Sequence, residues 1–168
     1  MASKITHAVF GEVEFDPEHD LNDWAIELEW SGRTVRVDVT FDGATMSPSV
    51  LDSLAQFVTD IAGFDELARQ SMRQDFDREK SQVREYIEHH LDELDADALI
   101  QVFGTGDTSS IDAETFLARM YLVRIGLYPD APDGYAVFDY MLAEELSGYL
   151  LAVTLDNRRK VAHIAMES

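Results

Sequence analysis

An α+β domain is predicted, with a mostly antiparallel sheet formed by N-terminal and C-terminal strands and covered on one face by a central group of helices. Three observations predict it. Residues 9–41 alternate apolar and polar side chains with a period of two, residues 47–103 change to apolar spacings of three and four, and residues 120–166 return to strand character. A doubly wound parallel sheet would need strands apolar on both faces and separated by helices, which this order does not offer. The 168 residues fit a single α+β domain over residues 1–168, long enough to bury most of its apolar side chains without a metal or disulfide staple.

Three strands open the chain. In the first, Val9, Gly11, Val13 and Phe15 alternate with Phe10, Glu12 and Glu14, and the acidic stretch 16–23 follows as an open connection. The second sets Trp24, Ile26, Leu28 and Trp30 against Ala25, Glu27 and Glu29; the third sets Val35, Val37, Val39 and Phe41 against Arg36, Asp38 and Thr40. Ser31-Gly32 between them is a two-residue hairpin link. Pairing Trp30 with Arg33 puts Leu28 opposite Val35, Ile26 opposite Val37 and Trp24 opposite Val39, so every apolar residue meets another. The same register sets Glu27 across from Arg36, an opposite-charge pair. A slip of one residue would bury those charges, so the register is firm.

Ser47-Pro48 supplies a helix N-cap and a proline at the first helical position. Val50, Leu51, Leu54, Phe57, Val58 and Ile61 define an amphipathic helix expected to end near Gly63. A second helical stretch carries Phe64, Leu67, Ala68, Met72 and Phe76, a third carries Val83, Tyr86, Ile87, Leu91 and Leu94, and the charged run 75–81 separates them. Asp95 caps a short helix through Leu99, Val102 and Phe103. Residues 104–110 are nearly all loop formers, and Asp112 starts another short helix. Strands then follow near residues 120–128, 135–142, 149–155 and 160–166, with Asp156-Asn157-Arg158 as a turn.

Composition excludes several classes of function. The absence of cysteine removes disulfides, thiolate metal sites and cysteine nucleophiles. The first residues lack the apolar core of a signal peptide, and no run reaches the roughly 20 apolar residues of a membrane span, so a soluble cytoplasmic protein is expected. With 33 acidic residues against 13 basic ones, the net charge of −20 repels nucleic acid and anionic membranes, and neither is expected as a partner. Excess carboxylate promotes solubility by itself, and three lysines against ten arginines fits a compositional bias. The same surface is also complementary to a basic protein partner.

The run Arg124-Ile-Gly-Leu-Tyr-Pro-Asp130 with Tyr135-Ala-Val-Phe-Asp-Tyr140 resembles the bacterial family catalogued as domain of unknown function two thousand and four. Phe10-Gly-Glu-Val-Glu-Phe15, residues 35–41, Tyr86-Ile-Glu-His-His-Leu91 and Ile164-Ala-Met-Glu-Ser168 match as well, so the resemblance spans nearly the whole chain. It implies a small cytoplasmic α+β protein and carries no established catalytic residues.

Candidate chemistry is sparse. Glu85, His89 and Glu93 share one helical face, where two carboxylates around an imidazole could bind zinc or a related ion. The zincin pattern needs two histidines four apart, whereas His89 and His90 are neighbours that point in different directions, and His90 falls on the apolar stripe as a core histidine. Surface helix pairing accounts for His89 better than metal binding does. Asp130, Asp133 and Asp139 surround the 129–134 turn and form a possible carboxylate cluster, although aspartate is also what turns require. Asp139 stands apart from that explanation because it sits inside an apolar strand; burial near another acid would raise its pKa and make catalysis plausible. No Gly-x-Ser-x-Gly elbow is present, and Gly104-Thr-Gly106 lacks the spacing and lysine of a phosphate loop.

These readings converge on a noncatalytic interaction protein with no cofactor, immunity-like or inhibitory, that meets a basic partner through an acidic patch including Glu88, Asp92 and Glu93. The alternative is a hydrolase or metal-dependent enzyme using the carboxylate cluster or His89. A homo-oligomer formed through an outer strand edge is a third possibility.

Overall fold

A computed structural model describes residues 1–143 and 146–168. Its strands are β1 (Ser3–His7), β2 (Gly11–Phe15), β3 (Asn22–Trp30), β4 (Arg33–Phe41), β5 (Tyr121–Leu127), β6 (Ala136–Met141), β7 (Leu150–Leu155) and β8 (Val161–Glu167). Between β4 and β5 run the helices α1 (Pro48–Thr59), α2 (Ile61–Phe76), α3 (Gln82–Glu93), α4 (Ala96–Phe103) and α5 (Ala113–Leu117). The main sheet has the order β3-β4-β5-β6-β7-β8, antiparallel except for the β4–β5 pair, and β1 with β2 forms a separate antiparallel hairpin. The α+β architecture is the one expected.

The β3–β4 register agrees at every position, from Trp30 with Arg33 to Trp24 with Val39. Its turn has Ser31 and Gly32 at φ 53° and 77°, the left-handed pair that matches strand twist in a two-residue hairpin. Glu27 does lie across from Arg36, but the Arg36 guanidinium bonds Asp38, two residues along its own strand, at 2.5 Å.

Three boundaries differ from expectation. The first expected strand, β2, is zipped to β1 and lies outside the main sheet. Asn22 fixes the departure of the chain from that hairpin: it accepts the Asp16 N–H at 2.9 Å and donates to the Asp16 and His19 carbonyls, each at 3.0 Å. The first helix ends at Thr59, and Gly63 lies inside α2, where an added Cβ would meet the Asp60 carboxylate at 2.7 Å. The 104–110 loop contains a 3-10 turn closed by Asp107, whose carboxylate accepts from Ser109 and Ser110. The N-caps at Ser47, Asp95 and Asp112 are formed as read.

The core lies between the sheet and the helices. Val35, Val37, Val39, Ile125, Leu127, Phe138 and Val153 supply the sheet side, and Leu51, Leu54, Phe57, Ala68, Met72 and Tyr86 supply the helix side, all essentially inaccessible. Phe138 packs on Phe57 and Phe64 with ring centroids 6.5 and 6.1 Å away. Side chains alternate along a strand, so Asp38, Arg124 and Asp139 lie on the opposite face of the sheet. Among the described residues no helix is long and apolar enough to cross a membrane.

Candidate functional site

Asp139 is the buried acid that the sequence singled out, 5% exposed on the outer face of β6. Its partner is a cation. Arg124, paired with it across β5 and β6, donates from Nη1 to Asp139 Oδ2 at 3.0 Å, from Nε to Asp38 Oδ2, and from Nη2 to the Tyr128 hydroxyl at 2.9 Å. Gly126 leaves the space for this fan, since a Cβ there would come within 2.8 Å of the Tyr128 hydroxyl and 3.0 Å of Arg124 Nη2. Burial pushes the Asp139 carboxyl above its ordinary value, and the hydrogen bond and charge of Arg124 pull it back. Burial works against the Arg124 charge as well, but bonds to Tyr128, Asp38 and Asp139 outweigh it and hold the guanidinium charged. Asp139 is the more deeply buried of the two, and only the arginine has three compensating bonds. That cation, 3.0 Å away, favours the charged form of Asp139 against its burial.

The other two aspartates of the turn do not join it. Asp130 accepts the Asp42 N–H at 2.7 Å and the Thr45 hydroxyl at 2.6 Å, so it pins the β4–α1 connection to the β5–β6 connection. Asp133 stands exposed in the 3-10 turn Pro132–Gly134. The three carboxylates thus have three separate environments. Among the described residues no group of three histidine or acidic side chains is arranged to hold a metal ion.

On α3, Glu85 accepts from Gln82 at 3.0 Å, Glu93 is exposed, and His89 packs edge-on against Tyr149 with centroids 4.7 Å apart. Glu88, Asp92 and Glu93 are all exposed. His90 is 1% exposed, as the apolar stripe required. Its Nδ1 lies 2.7 Å from the Tyr86 carbonyl, which can only accept, so Nδ1 carries the proton and Nε2 accepts from the Ser147 hydroxyl at 2.6 Å. Burial lowers the His90 pKa, which keeps the ring neutral for this role. Tyr86, one turn earlier, donates to the Tyr149 carbonyl at 3.0 Å and accepts the Leu142 N–H at 3.2 Å. Its hydroxyl is pushed up to about 12 by burial. α3 therefore clasps both ends of the β6–β7 connection.

A site that sequence reasoning did not reach is a cleft of about 600 Å³ between α2, the β3–β4 turn and the start of β5. At its wall the Tyr140 hydroxyl donates to Asp65 Oδ1 at 2.7 Å, and Arg69 bonds the same carboxylate and the Leu117 and Met120 carbonyls at 3.2 and 3.0 Å. Burial and the Asp65 charge hold the Tyr140 phenol well above its usual pKa, so it remains a donor. At the cleft mouth the Arg33 guanidinium sits 3.6 Å over the Tyr121 ring. The i,i+4 spacing of Asp65 and Arg69 was the available signal; their convergence on a strand tyrosine 75 residues away was not readable.

No family model, no curated protein and no solved structure matches the chain.

Each guanidinium nitrogen of Arg69 and Arg124 bonds a carboxylate, a carbonyl or a phenol, Asp65 and Asp139 are each paired with one of these cations, and His90 is held by two partners. The Ser147 hydroxyl is bonded to Nε2 of neutral His90, so that cluster does set a hydroxyl beside an imidazole base, with the opposite ring nitrogen held by a backbone carbonyl and not by a carboxylate. The exposed surface carries carboxylates such as Glu88, Asp92 and Glu93 together with cations such as Lys4, Arg36 and Arg78.

Proposed function

We propose that this chain is a noncatalytic cytoplasmic interaction protein that binds a basic protein, in the manner of an immunity-like or inhibitory subunit. The observation that carries the reading is the exposed acidic surface of α3, where Glu88, Asp92 and Glu93 have no ion-pair partner among the described residues. Asp95 and Asp97 extend it onto α4 and are exposed too. Uncompensated carboxylates of this kind raise the local concentration of a cationic partner and speed its association. The family resemblance of the 124–140 segment is part of the same proposal and adds no catalytic residue to it.

The test is recovery of partners from the native lysate with tagged protein, using matched low-salt and high-salt washes. One stoichiometric basic protein that is lost at high salt is the expected result. Reversal of Glu88, Asp92 and Glu93 to lysine together should then slow its association about tenfold or more, with little change in fold stability. A partner retained equally at high salt, or an association rate untouched by the reversal, overturns the reading.

A further inference from the structure

The main sheet ends in β8 on one side and β3 on the other, and the two edges are finished differently. Along β8 the Met166 N–H donates to Gln82 Oε1 at 3.0 Å, so a side chain of α3 occupies an outward donor, and the end of α2 lies beside Val161 and Ile164. β3 has no helix over its edge; the β1–β2 hairpin meets it near Trp24, whose Nε1 donates to the Phe10 carbonyl at 3.2 Å, and takes none of its outward backbone groups. Its two-residue turn makes Trp30 and Arg33 a hydrogen-bonded pair, and alternate residues from Leu28 to Asn22 bond β4 in turn. Asp23, Ala25, Glu27 and Glu29 therefore aim their N–H and C=O groups away from β4. Among the described residues these backbone groups have no other hydrogen-bond partner. β3 is nine residues long, with no proline and no bulge, so charge is the device left to guard its edge.

That charge is arranged in a particular way. Asp23, Glu27 and Glu29 share the outer face, and the cation set across from Glu27 is turned to Asp38. Asp23 and Glu29 accept only the hydroxyls of Thr40 and Thr34. On the other face Trp24, Ile26, Leu28 and Trp30 are only half-buried.

We infer that β3 is a docking edge that accepts an extended segment of a basic protein by strand addition, a segment that alternates lysine or arginine with apolar residues. The inference rests on the reading of the chain as a binder of a basic partner and names where and how that partner docks. The added strand satisfies the outward backbone groups, sets its cations against the three acids and lays its apolar side chains beside the half-buried tryptophans. A second copy of β3 does not fit. Antiparallel pairing that keeps apolar faces together sets Asp23 against Glu29, Asp23 against Glu27, or Glu27 against itself, which puts like charges opposite each other.

The experiment uses the full chain, nitrogen-labelled, and three blocked peptides matched to the nine residues of β3. One alternates lysine and valine, one has the same sequence with every backbone amide N-methylated so that no ladder can form, and one alternates glutamate and valine. The lysine–valine peptide is expected to slow exchange of the Asp23, Ala25, Glu27 and Glu29 amides about tenfold or more, while the other two do not. Ala25→Pro removes one outward donor and no bond to β4, and should weaken that peptide about tenfold or more with the Leu28 and Val37 amides still protected. If that variant loses the β3–β4 ladder, Glu27→Lys with Glu29→Lys keeps every backbone donor and should switch preference to the glutamate–valine peptide. Equal binding of the lysine–valine peptide and its N-methylated form, or protection confined to α3 and α4, overturns the docking edge and leaves the basic-partner reading standing. Absence of binding by either cationic peptide overturns both.

Discussion

Arg124 and Asp139 face each other across β5 and β6, with guanidinium Nη1 and carboxylate Oδ2 3.0 Å apart and the aspartate side chain only 8% exposed. The arginine is the sole cation bonded to that carboxylate among the described residues. Removing it is therefore more damaging than removing a surface charge. Arg124→Met should destabilise the fold by about 3 kcal/mol at about pH 7, because it leaves a buried carboxylate unpaired. A carboxyl whose folded pKa is raised contributes stability that is present below its unfolded value and lost as pH rises through the folded one. Without Arg124 that rise is larger, so the penalty should shrink when urea unfolding is repeated at about pH 4.5. Double replacement with Asp139→Leu should recover most of the loss.

Tyr140→Phe keeps the ring and removes the hydroxyl that donates to Asp65 at 2.7 Å. The Asp65 carboxylate then depends on Arg69 alone. A loss of about 1.5 kcal/mol is expected in denaturant unfolding. Circular dichroism in the far ultraviolet should be unchanged, because no backbone bond is touched.

His90 makes folding sensitive to mild acid. Burial lowers its pKa in the folded state, so between that lowered value and the ordinary value of about 6.5 the unfolded chain binds one more proton. Its contribution is fully present above about pH 6.5 and is lost as pH falls through the folded pKa. The slope of unfolding free energy against pH in that window should be smaller in His90→Phe than in the parent. Equal slopes would mean that the ring does not titrate differently in the two states.

Asp130→Ala removes acceptors from the Asp42 amide and the Thr45 hydroxyl. The residue is exposed, so water replaces part of what is lost, and a cost of about 1 kcal/mol is expected. Hydrogen exchange is the discriminating readout, with the Asp42 amide losing protection before the β4 ladder does.

The β3–β4 hairpin was legible to the residue because alternation, a two-residue turn and one acceptable charge pattern all demanded the same register. Helix starts at Ser47, Asp95 and Asp112 were legible for a similar reason: each cap bonds its own backbone within three residues. β1 was missed because Ser3–His7 has a single large apolar residue, Ile5, and pairs only with β2. The fate of Arg36 was missed because a guanidinium reaches more than one carboxylate, and geometry chose Asp38 over Glu27. Asp139 is unusual in an apolar strand, and its setting depends on Arg124, which only the β5–β6 pairing brings within reach. Asp65, Arg69 and Tyr140 form their cluster through the packing of α2 on β6, and no local pattern announces such an encounter.

The single parallel junction, where Val37 and Val39 lie beside Ile125 and Leu127, has a kinetic consequence. β3 with β4, and β5 through β8, are each built from neighbouring strands that can zip from short turns, whereas the junction joins residues such as Asp38 and Arg124 that are 86 positions apart. Closing so long a loop carries its entropy cost before any contact repays it, which makes it slow. Condensation of the five intervening helices is therefore expected to bring the two half-sheets together, with the seam between them forming last in the sheet.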